Sequence, residues 1–427
     1  METSIRDFLA GKSILILGFG REGQSAYDFV RKNLPDANLA IANETPLEVP
    51  NEQVFCGEDY LEHCKDYDVI IKSPGIPIKD QLDVVTKAKI TSLTDLFLRF
   101  CPNPIIGVTG TKGKSTTSSL AHHILKNCGR DSILVGNIGI PCFDALDQIK
   151  PESIIVFELS SHQLEFVQAA PHIAILLNLY EEHLDHYSNA EAYYDAKKNI
   201  YRKQKESDFL IYGDIFEHTK REEIANLPQT TIDLYHDTHI LLQNIQTQLI
   251  GQHNLYDICA AVTACKILGV SEDEALHAVE SFVPLPHRLS FVGEYNGVKF
   301  YDDSIATAQE ATINAIKSLP DTDTVILGGM DRGLDYHPLI EFIRHSDVRN
   351  VILLPATADN MITIFNEAYY SQTIVKVSDM AEAVTKAYEL TEKGKTCLLS
   401  PAAASYGFYK NFEERGDDFC DKVKAQA

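Results

Sequence analysis

The segment Ile105-Ile-Gly-Val-Thr-Gly-Thr-Lys-Gly-Lys-Ser-Thr-Thr117 constrains this chain more than any other. The apolar run Pro104 to Val108 has the length of a buried strand. It breaks at Gly110 and Gly113 and leads into a helix-compatible stretch, Ser115 to Asn127, with Leu120, Ile124 and Leu125 on one side. Glycines there let backbone N–H groups (Gly110, Thr111, Lys112, Gly113, Lys114, Ser115, Thr116) turn inward around an anion. Lys114 adds a positive charge, and the Ser115 hydroxyl is placed to hold a magnesium ion. The strict phosphate-loop pattern has glycine five residues before Gly113, where this chain has Val108, so the match is to a variant. A glycine-rich turn can be only a turn; the preceding strand and the Gly-Lys-Ser-Thr ending favour ATP binding.

A second glycine motif stands in a first block of the chain. Ser13 to Leu17 reads as a buried strand, followed by Gly18-Phe-Gly-Arg-Glu-Gly23, a helical stretch Gln24 to Asn33, and a strand Asn38 to Ala42. This is a βαβ unit with a dinucleotide fingerprint, and Asn43 and Glu44 fall about where a ribose-binding acid would lie. Taken alone it allows a nicotinamide or flavin oxidoreductase. The next strand, Asp68 to Lys72, ends in Ser73-Pro74-Gly75-Ile76-Pro77, a stiff turn that suits ligand contact or is a plain loop. Cys101-Pro-Asn-Pro104 reads as a linker.

The second block runs from the phosphate loop to about Pro286. Its apolar runs, Ser153 to Phe157, Ile173 to Leu177 and Phe209 to Tyr212, alternate with helical stretches, the pattern of a parallel sheet covered on both faces. Glu158 closes one run: it is either a magnesium ligand or the cap of the next helix. Asn178 to Tyr187 contains Glu181, Glu182, His183, Asp185 and His186 at no diagnostic metal spacing, so metal binding and a charged surface loop both stay open. Tyr194 to Ile200 is amphipathic, and Asn254 could cap the helix beginning near it or meet a base. In the third block, Leu289 to Phe300 reads as a hairpin turning at Asn296-Gly297. The runs Thr324 to Leu327, Asn350 to Leu354 and Thr396 to Leu399 then suggest a second doubly wound unit.

At 427 residues the chain exceeds one core. A formal charge of −23 argues against a nucleic-acid partner, while Lys112, Lys114, Arg288 and Arg332 still offer local charge to anionic small molecules. Nine scattered cysteines without a C-x-x-C pair read as reduced thiols in a cytoplasm. Met1 to Asp7 has no secretory pattern, and no run approaches the ~20 apolar residues that span a bilayer, so no membrane insertion is expected.

In order along the chain, residues 18–23, Ser-Pro-Gly-Ile (73–76), Gly-Thr-Lys-Gly-Lys-Ser-Thr (110–116), Gly-Asn-Ile-Gly (136–139), Glu-Leu-Ser-Ser-His-Gln-Leu-Glu (158–165) and Glu-Glu-His-Leu-Asp (181–185) form a series. It continues with Gly-Gln-His-Asn (251–254), Pro-His-Arg (286–288), Asp-Asp-Ser (302–304), Gly-Gly-Met-Asp-Arg-Gly (328–333) and Ser-Pro-Ala-Ala-Ala-Ser…Asn-Phe-Glu-Glu-Arg-Gly (400–416). The series resembles the Mur ligase family over essentially the whole chain. The resemblance implies an α/β fold of three domains: a Rossmann-like UDP-sugar domain (1–101), a central ATP-binding parallel-sheet domain (102–285) and a Rossmann-like C-terminal domain (286–427). It also implies a monomeric cytoplasmic ligase that adds D-glutamate to UDP-N-acetylmuramoyl-L-alanine, with ATP and two magnesium ions and an acyl-phosphate intermediate.

By the same resemblance, Lys114 and the 110–116 backbone hold the phosphates. Ser115 and Glu158 hold one magnesium, and His183 the second with Lys197 as a carbamate, Lys198 being the competing neighbour. Gly18, Phe19, Gly20, Arg21, Asn43, Ser73, Pro74 and Gly75 take the UDP, and Asn137 the reacting end of that substrate. Asn254, Arg288 and Asp303 meet the nucleotide, while Thr307, Arg332, Ser405 and Phe412 take glutamate, Arg332 by a bidentate pair with a carboxylate. Lys112, Glu182 and Asp257 depart from the family's usual Asn, Asp and Asn. Asp303-Ser-Ile-Ala-Thr-Ala308 replaces the common Asp-Ser-Lys-Ala-Thr-Asn, which leaves L-glutamate open as the added residue.

Overall fold

The computed structural model describes residues 1–78, 81–180, 186–234, 245, 247–249 and 251–427, without the side chains of Gln252 and His253. These residues form two compact units, Met1–Gln246 with His253–Phe282, and Thr247–Gln252 with Val283–Ala427.

The first unit holds two sheets. Strands β1 (Ile14–Leu17), β2 (Leu39–Asn43), β3 (Gln53–Cys56), β4 (Val69–Lys72) and β5 (Ile90–Thr91) lie in the order β3-β2-β1-β4-β5, all parallel. Strands β6 (Ile105–Thr109), β7 (Ser132–Gly136), β8 (Ile154–Glu158), β9 (Ile173–Asn178), β10 (Phe209–Asp214) and β11 (Thr230–Asp233) follow in the order β11-β10-β9-β6-β8-β7, again parallel. Helix Leu93–Phe100 joins the two: its Phe97 meets β8's Phe157 edge-on at 5.5 Å, inside one apolar core that runs from Ile5 to Ile224. Burying one such ring stabilises by about 1.5–3 kcal/mol, so the two sheets share their packing.

The second unit carries β12 (Ser290–Tyr295), β13 (Val298–Asp302), β14 (Thr322–Gly329), β15 (Asn350–Ala356), β16 (Thr373–Lys376) and β17 (Thr396–Leu399) in the order β12-β13-β17-β14-β15-β16. Only the β12–β13 hairpin is antiparallel. Asn296 and Gly297 both have positive φ (53° and 82°), the conformation a tight two-residue hairpin turn needs. Apolar clusters cover this sheet on both faces, one around Leu327 and Ile340, the other around Ile326 and Phe419.

In all three sheets the chain reverses direction of travel at a switch point, where crossovers leave to opposite sides and open a crevice at the strands' carboxyl ends. β1 has β2 and β4 on its two flanks and is followed by Gly18; β6 has β8 and β9 and is followed by Gly110; β14 has β15 and β17, with residues 330–333 following β14 itself and residues 400–405 following β17. The loops at 18–23, 73–76, 110–116, 159–165, 330–333 and 400–405 each follow a strand at or beside one of these points.

The segment 101–104, expected as a linker, is pinned. The buried Asn103 amide donates to the carbonyls of Lys150 (2.8 Å) and Ser153 (2.9 Å), which ties it to the chain entering β8. All nine cysteines are free thiols. Among the described residues no helix is long and apolar enough to cross a membrane.

Candidate active site

The phosphate loop joins β6 to helix Lys114–Asn127, which begins with no acidic residue in its first turn. Helix-start N–H groups lack intrahelical acceptors and carry the positive end of the helix dipole, which suits an anion. Gly113 sits at φ +86°, and a Cβ there would stand 2.3 Å from Asp257 Oδ1, so no side chain fits. The loop is clamped by the last residue of β9 and the chain just after it. Lys112 N donates to Asn178 Oδ1 (2.9 Å), Asn178 Nδ2 donates to the Lys112 carbonyl (3.1 Å), and Thr111 N donates to the Asn178 carbonyl (3.1 Å). Tyr180 N donates to Thr111 Oγ1 at 3.0 Å.

Two ammonium groups converge on this loop. Lys114 Nζ donates to the carbonyls of Gly110 (3.0 Å) and Thr111 (2.9 Å), and Lys197 Nζ, from helix Ala190–Arg202, donates to the same Gly110 carbonyl at 2.9 Å. Lys197 is only 1% exposed and lies 4.8 Å from the centre of the Tyr193 ring. Lys198 is buried too, but its Nζ stands 3.9 Å from Glu191 Oε1.

Glu158 ends β8, opposite Val108 of β6. Asn137 Nδ2 donates to its Oε1 at 2.8 Å, and Asn137 N donates to its main-chain carbonyl at 3.1 Å. The other carboxylate oxygen, Oε2, is buried with no hydrogen-bond partner among the described residues. A buried anionic oxygen left unmatched is costly unless a cation completes it, and an oxygen donor suits magnesium. With the half-buried Ser115 hydroxyl at the adjoining helix start, the residues fit such an ion. The cap of the next helix is Ser160, which forms a capping box with Gln163, so Glu158 is not that cap. His183, Glu181, Glu182 and Asp185 lie outside the described residues, among which no group of three or more His, Cys, Asp or Glu could hold a metal. Asn254 is the third residue of helix Gln252–Ile267 and buried, so it does not cap that helix either.

On the first sheet, Gly18 sits at φ +86° with Ile76 and Ser73 against the place of a Cβ, and Ser73 Oγ donates to its carbonyl at 2.8 Å. Phe19 N donates to Asn43 Oδ1 (3.1 Å). Gly20 precedes helix Arg21–Asn33 without a side-chain cap, and Gly20, Arg21 and Gly75 are exposed, with Pro74 half-buried. Both loops expected to hold UDP thus meet at the end of β1.

In the second unit, Arg288 lies in a turn whose neighbours His287 and Leu289 have positive φ. Its Nε is buried without a hydrogen-bond partner among the described residues. Asp303 accepts from Leu289 N (3.1 Å) and Ser400 Oγ (2.8 Å). Burial pushes the Asp303 carboxyl up to about 7, against the opposing pull of Ser400 and Arg288. Folded Asp303 therefore keeps a proton that the unfolded chain has released above pH 4. Its contribution to stability is present in acid and is lost as pH rises from about 4 to about 7. The stability advantage of the parent over Asp303→Asn should shrink across that window and level off above it, read from denaturation midpoints at each pH.

Met330 N donates to the Ala404 carbonyl (2.8 Å), which brings the Arg332 loop beside that of buried Ser405. Ser304 Oγ donates to the Phe412 carbonyl (2.8 Å) at the start of helix Phe412–Ala425. Arg332 is exposed and Thr307 half-buried. Arg415 was not singled out from the sequence. It is buried and donates to Ser304 Oγ (3.0 Å) and to the carbonyls of Ser304 (2.7 Å) and Ala403 (3.0 Å), bracing these loops. Tyr193, whose hydroxyl lies 3.1 Å from Thr111 Oγ1, was missed as well. Both stand inside or beside the motifs, but only the fold says what they touch.

A family model described as the Mur ligase middle domain matches residues 108–223, and one described as the Mur ligase, glutamate ligase domain matches residues 287–403. Proteins named UDP-N-acetylmuramoylalanine–D-glutamate ligase are similar over nearly full length. That of Listeria innocua is 33% identical, covering 96% of each chain, and that of Geobacillus kaustophilus is 33% identical, covering 97% of this chain and 98% of the other. Among solved structures, the MurF ligase of Thermotoga maritima in complex with ADP superposes with a TM-score of 0.60 at 18% identity, covering 99% of this chain and 97% of that one. MurF of Acinetobacter baumannii gives 0.62 at 16%, covering 96% and 90%. These two establish likeness of fold.

Proposed function

The chain belongs to the Mur ligase family, and from that premise we propose that this ATP-dependent ligase joins D-glutamate to UDP-N-acetylmuramoyl-L-alanine in peptidoglycan precursor synthesis. The observation that carries the reading is the meeting of Lys114 and Lys197 on the Gly110 carbonyl, just past the strand that neighbours that of the buried, half-matched Glu158 carboxylate.

The alanyl carboxylate of the UDP-sugar attacks the γ-phosphorus of ATP, ADP leaves, and an acyl phosphate forms. The glutamate amine then attacks the acyl carbon, and inorganic phosphate departs with the carboxylate oxygen. The 110–116 backbone and Lys114 hold the phosphates; Lys114 leaves its loop carbonyls to follow the charge on the transferred group. Asn137, tied to Glu158, orients the attacking carboxylate. Ser115 and Glu158 would hold one magnesium ion, and His183 with a carbamate on Lys197 a second, and ions bound there would supply positive charge against the phosphates. Gly18, Phe19, Gly20, Arg21, Asn43, Ser73, Pro74 and Gly75 hold the UDP. Asn254, Arg288 and Asp303 meet the ATP nucleotide. Thr307, Arg332, Ser405 and Phe412 receive glutamate. The domain limits are 1–101, 102–285 and 286–427, and the enzyme works as a cytoplasmic monomer.

This reading gives both glycine loops a task, one for each phosphate-bearing substrate. The nicotinamide reading of residues 13–44 leaves the phosphate loop without one. L-Glutamate is the second reading, favoured by Ile305 and Ala308 beside Thr307. The reaction route is tested with UDP-N-acetylmuramoyl-L-alanine carrying ¹⁸O in its carboxylate. One labelled oxygen should appear in the released phosphate. Unlabelled phosphate from a working ligase would exclude the acyl phosphate.

A further inference from the structure

Both loops read as holding UDP are wired to one three-residue segment, 163–165, which follows β8 of the second sheet. Glu22 lies in the first turn after the glycine loop, and its Oε1 accepts from Gln163 Nε2 at 2.8 Å. Its Oε2 is buried without a hydrogen-bond partner among the described residues. Lys72 immediately precedes Ser73-Pro74-Gly75 and is 3% exposed. Its Nζ donates to the carbonyls of Ser73 (3.4 Å) and Pro74 (3.3 Å) and to Glu165 Oε2 (3.3 Å), which also stands 3.5 Å from His186 Nε2. Gln163 and Glu165 follow Glu158 by five and seven residues, on and just after the short helix Ser161–Leu164. Asn199, two residues from Lys197, donates to the Leu164 carbonyl at 3.0 Å.

Packing alone would hold these sheets together, since their apolar core is continuous. Apolar contacts tolerate sliding. Buried ion pairs contribute little net stability after desolvation but strongly prefer one alignment. The UDP-sugar needs one alignment, because its diphosphate and its reacting carboxylate are held on different sheets, and a misplacement of about 1 Å at the reacting atoms costs roughly a hundred-fold in rate. We propose that Lys72–Glu165 and Glu22–Gln163 are positioning pairs that set the register between the diphosphate loops and the phosphoryl-transfer loops. The inference rests on the assignment of the first sheet to UDP.

Lys72→Met and Glu165→Gln should each lower kcat/KM for the UDP-sugar by about ten-fold or more. The KM for ATP and the affinity for UDP alone, which uses one side of the junction, should stay within about two-fold. The double variant should lose clearly less than the product of the two single losses, since both singles remove the same ion pair. Lys72→Arg should recover most of the loss. Glu165→Gln keeps size and hydrogen-bonding shape, so it decides the matter if Lys72→Met fails to fold. Register control is overturned if UDP affinity falls in step with kcat/KM, or if folded Glu165→Gln keeps the parent's kcat/KM. Failure of the parent protein itself to bind UDP would instead remove the UDP assignment.

Discussion

Lys114→Ala should remain folded and lose turnover by roughly a hundred- to a thousand-fold, the usual consequence of deleting one preorganised charge that faces a transferring group. Lys114 begins a helix at the mouth of the loop and is half-exposed, so its removal leaves the core of β6, β8 and β9 intact. Its ammonium rests on the Gly110 and Thr111 carbonyls, within the loop that would enclose the phosphates. The measurement is kcat beside the thermal midpoint. A stable variant with the parent's turnover would refute the phosphate-loop assignment.

Lys197→Ala should be equally inactive for a different reason. A solvent-facing helix lysine would be dispensable, but Lys197 is buried against Tyr193 and the Gly110 carbonyl. As a carbamate it keeps one N–H for that carbonyl and gains anionic oxygens for magnesium. Alanine removes those oxygens and leaves a space where the side chain was. Acetate at high concentration should then restore part of the turnover by supplying a carboxylate to the ion. Lys198 is the control: it points about 100° away around the helix, towards Glu191. Its alanine variant should lose some stability through lost burial but gain nothing from acetate. Rescue at Lys198 instead of Lys197 would transfer the role to that neighbour, and unaffected activity in both variants would remove the carbamate from the mechanism.

The central strands of all three sheets were legible from the sequence because, buried on both faces, they read as unbroken apolar runs, such as Ile154-Ile-Val-Phe157. Those that were not, β3, β5, β7, β11 and β16, are all sheet edges. An edge strand has one unpaired side and is short or partly polar, as in Thr230-Thr-Ile-Asp233, and leaves little periodic signal. Helix starts were placed late, Gln24 for Arg21 and Ser115 for Lys114, because first-turn residues are polar and carry no apolar stripe. Site residues borne by glycine loops and strand ends were visible as motifs. Arg415, Lys72, Gln163 and Glu165 acquire meaning only through partners from about 10 to more than 140 residues away, which no local pattern encodes.

The central claim is the joining of D-glutamate to the UDP-sugar. Its most direct measurement is phosphate release by the purified enzyme with ATP, magnesium and UDP-N-acetylmuramoyl-L-alanine, with D- or L-glutamate supplied in turn. D-Glutamate should drive phosphate release matched one-for-one by the amide product, with L-glutamate near background. Turnover with L-glutamate alone would contradict the stereochemistry, and no release with either would contradict the assignment itself.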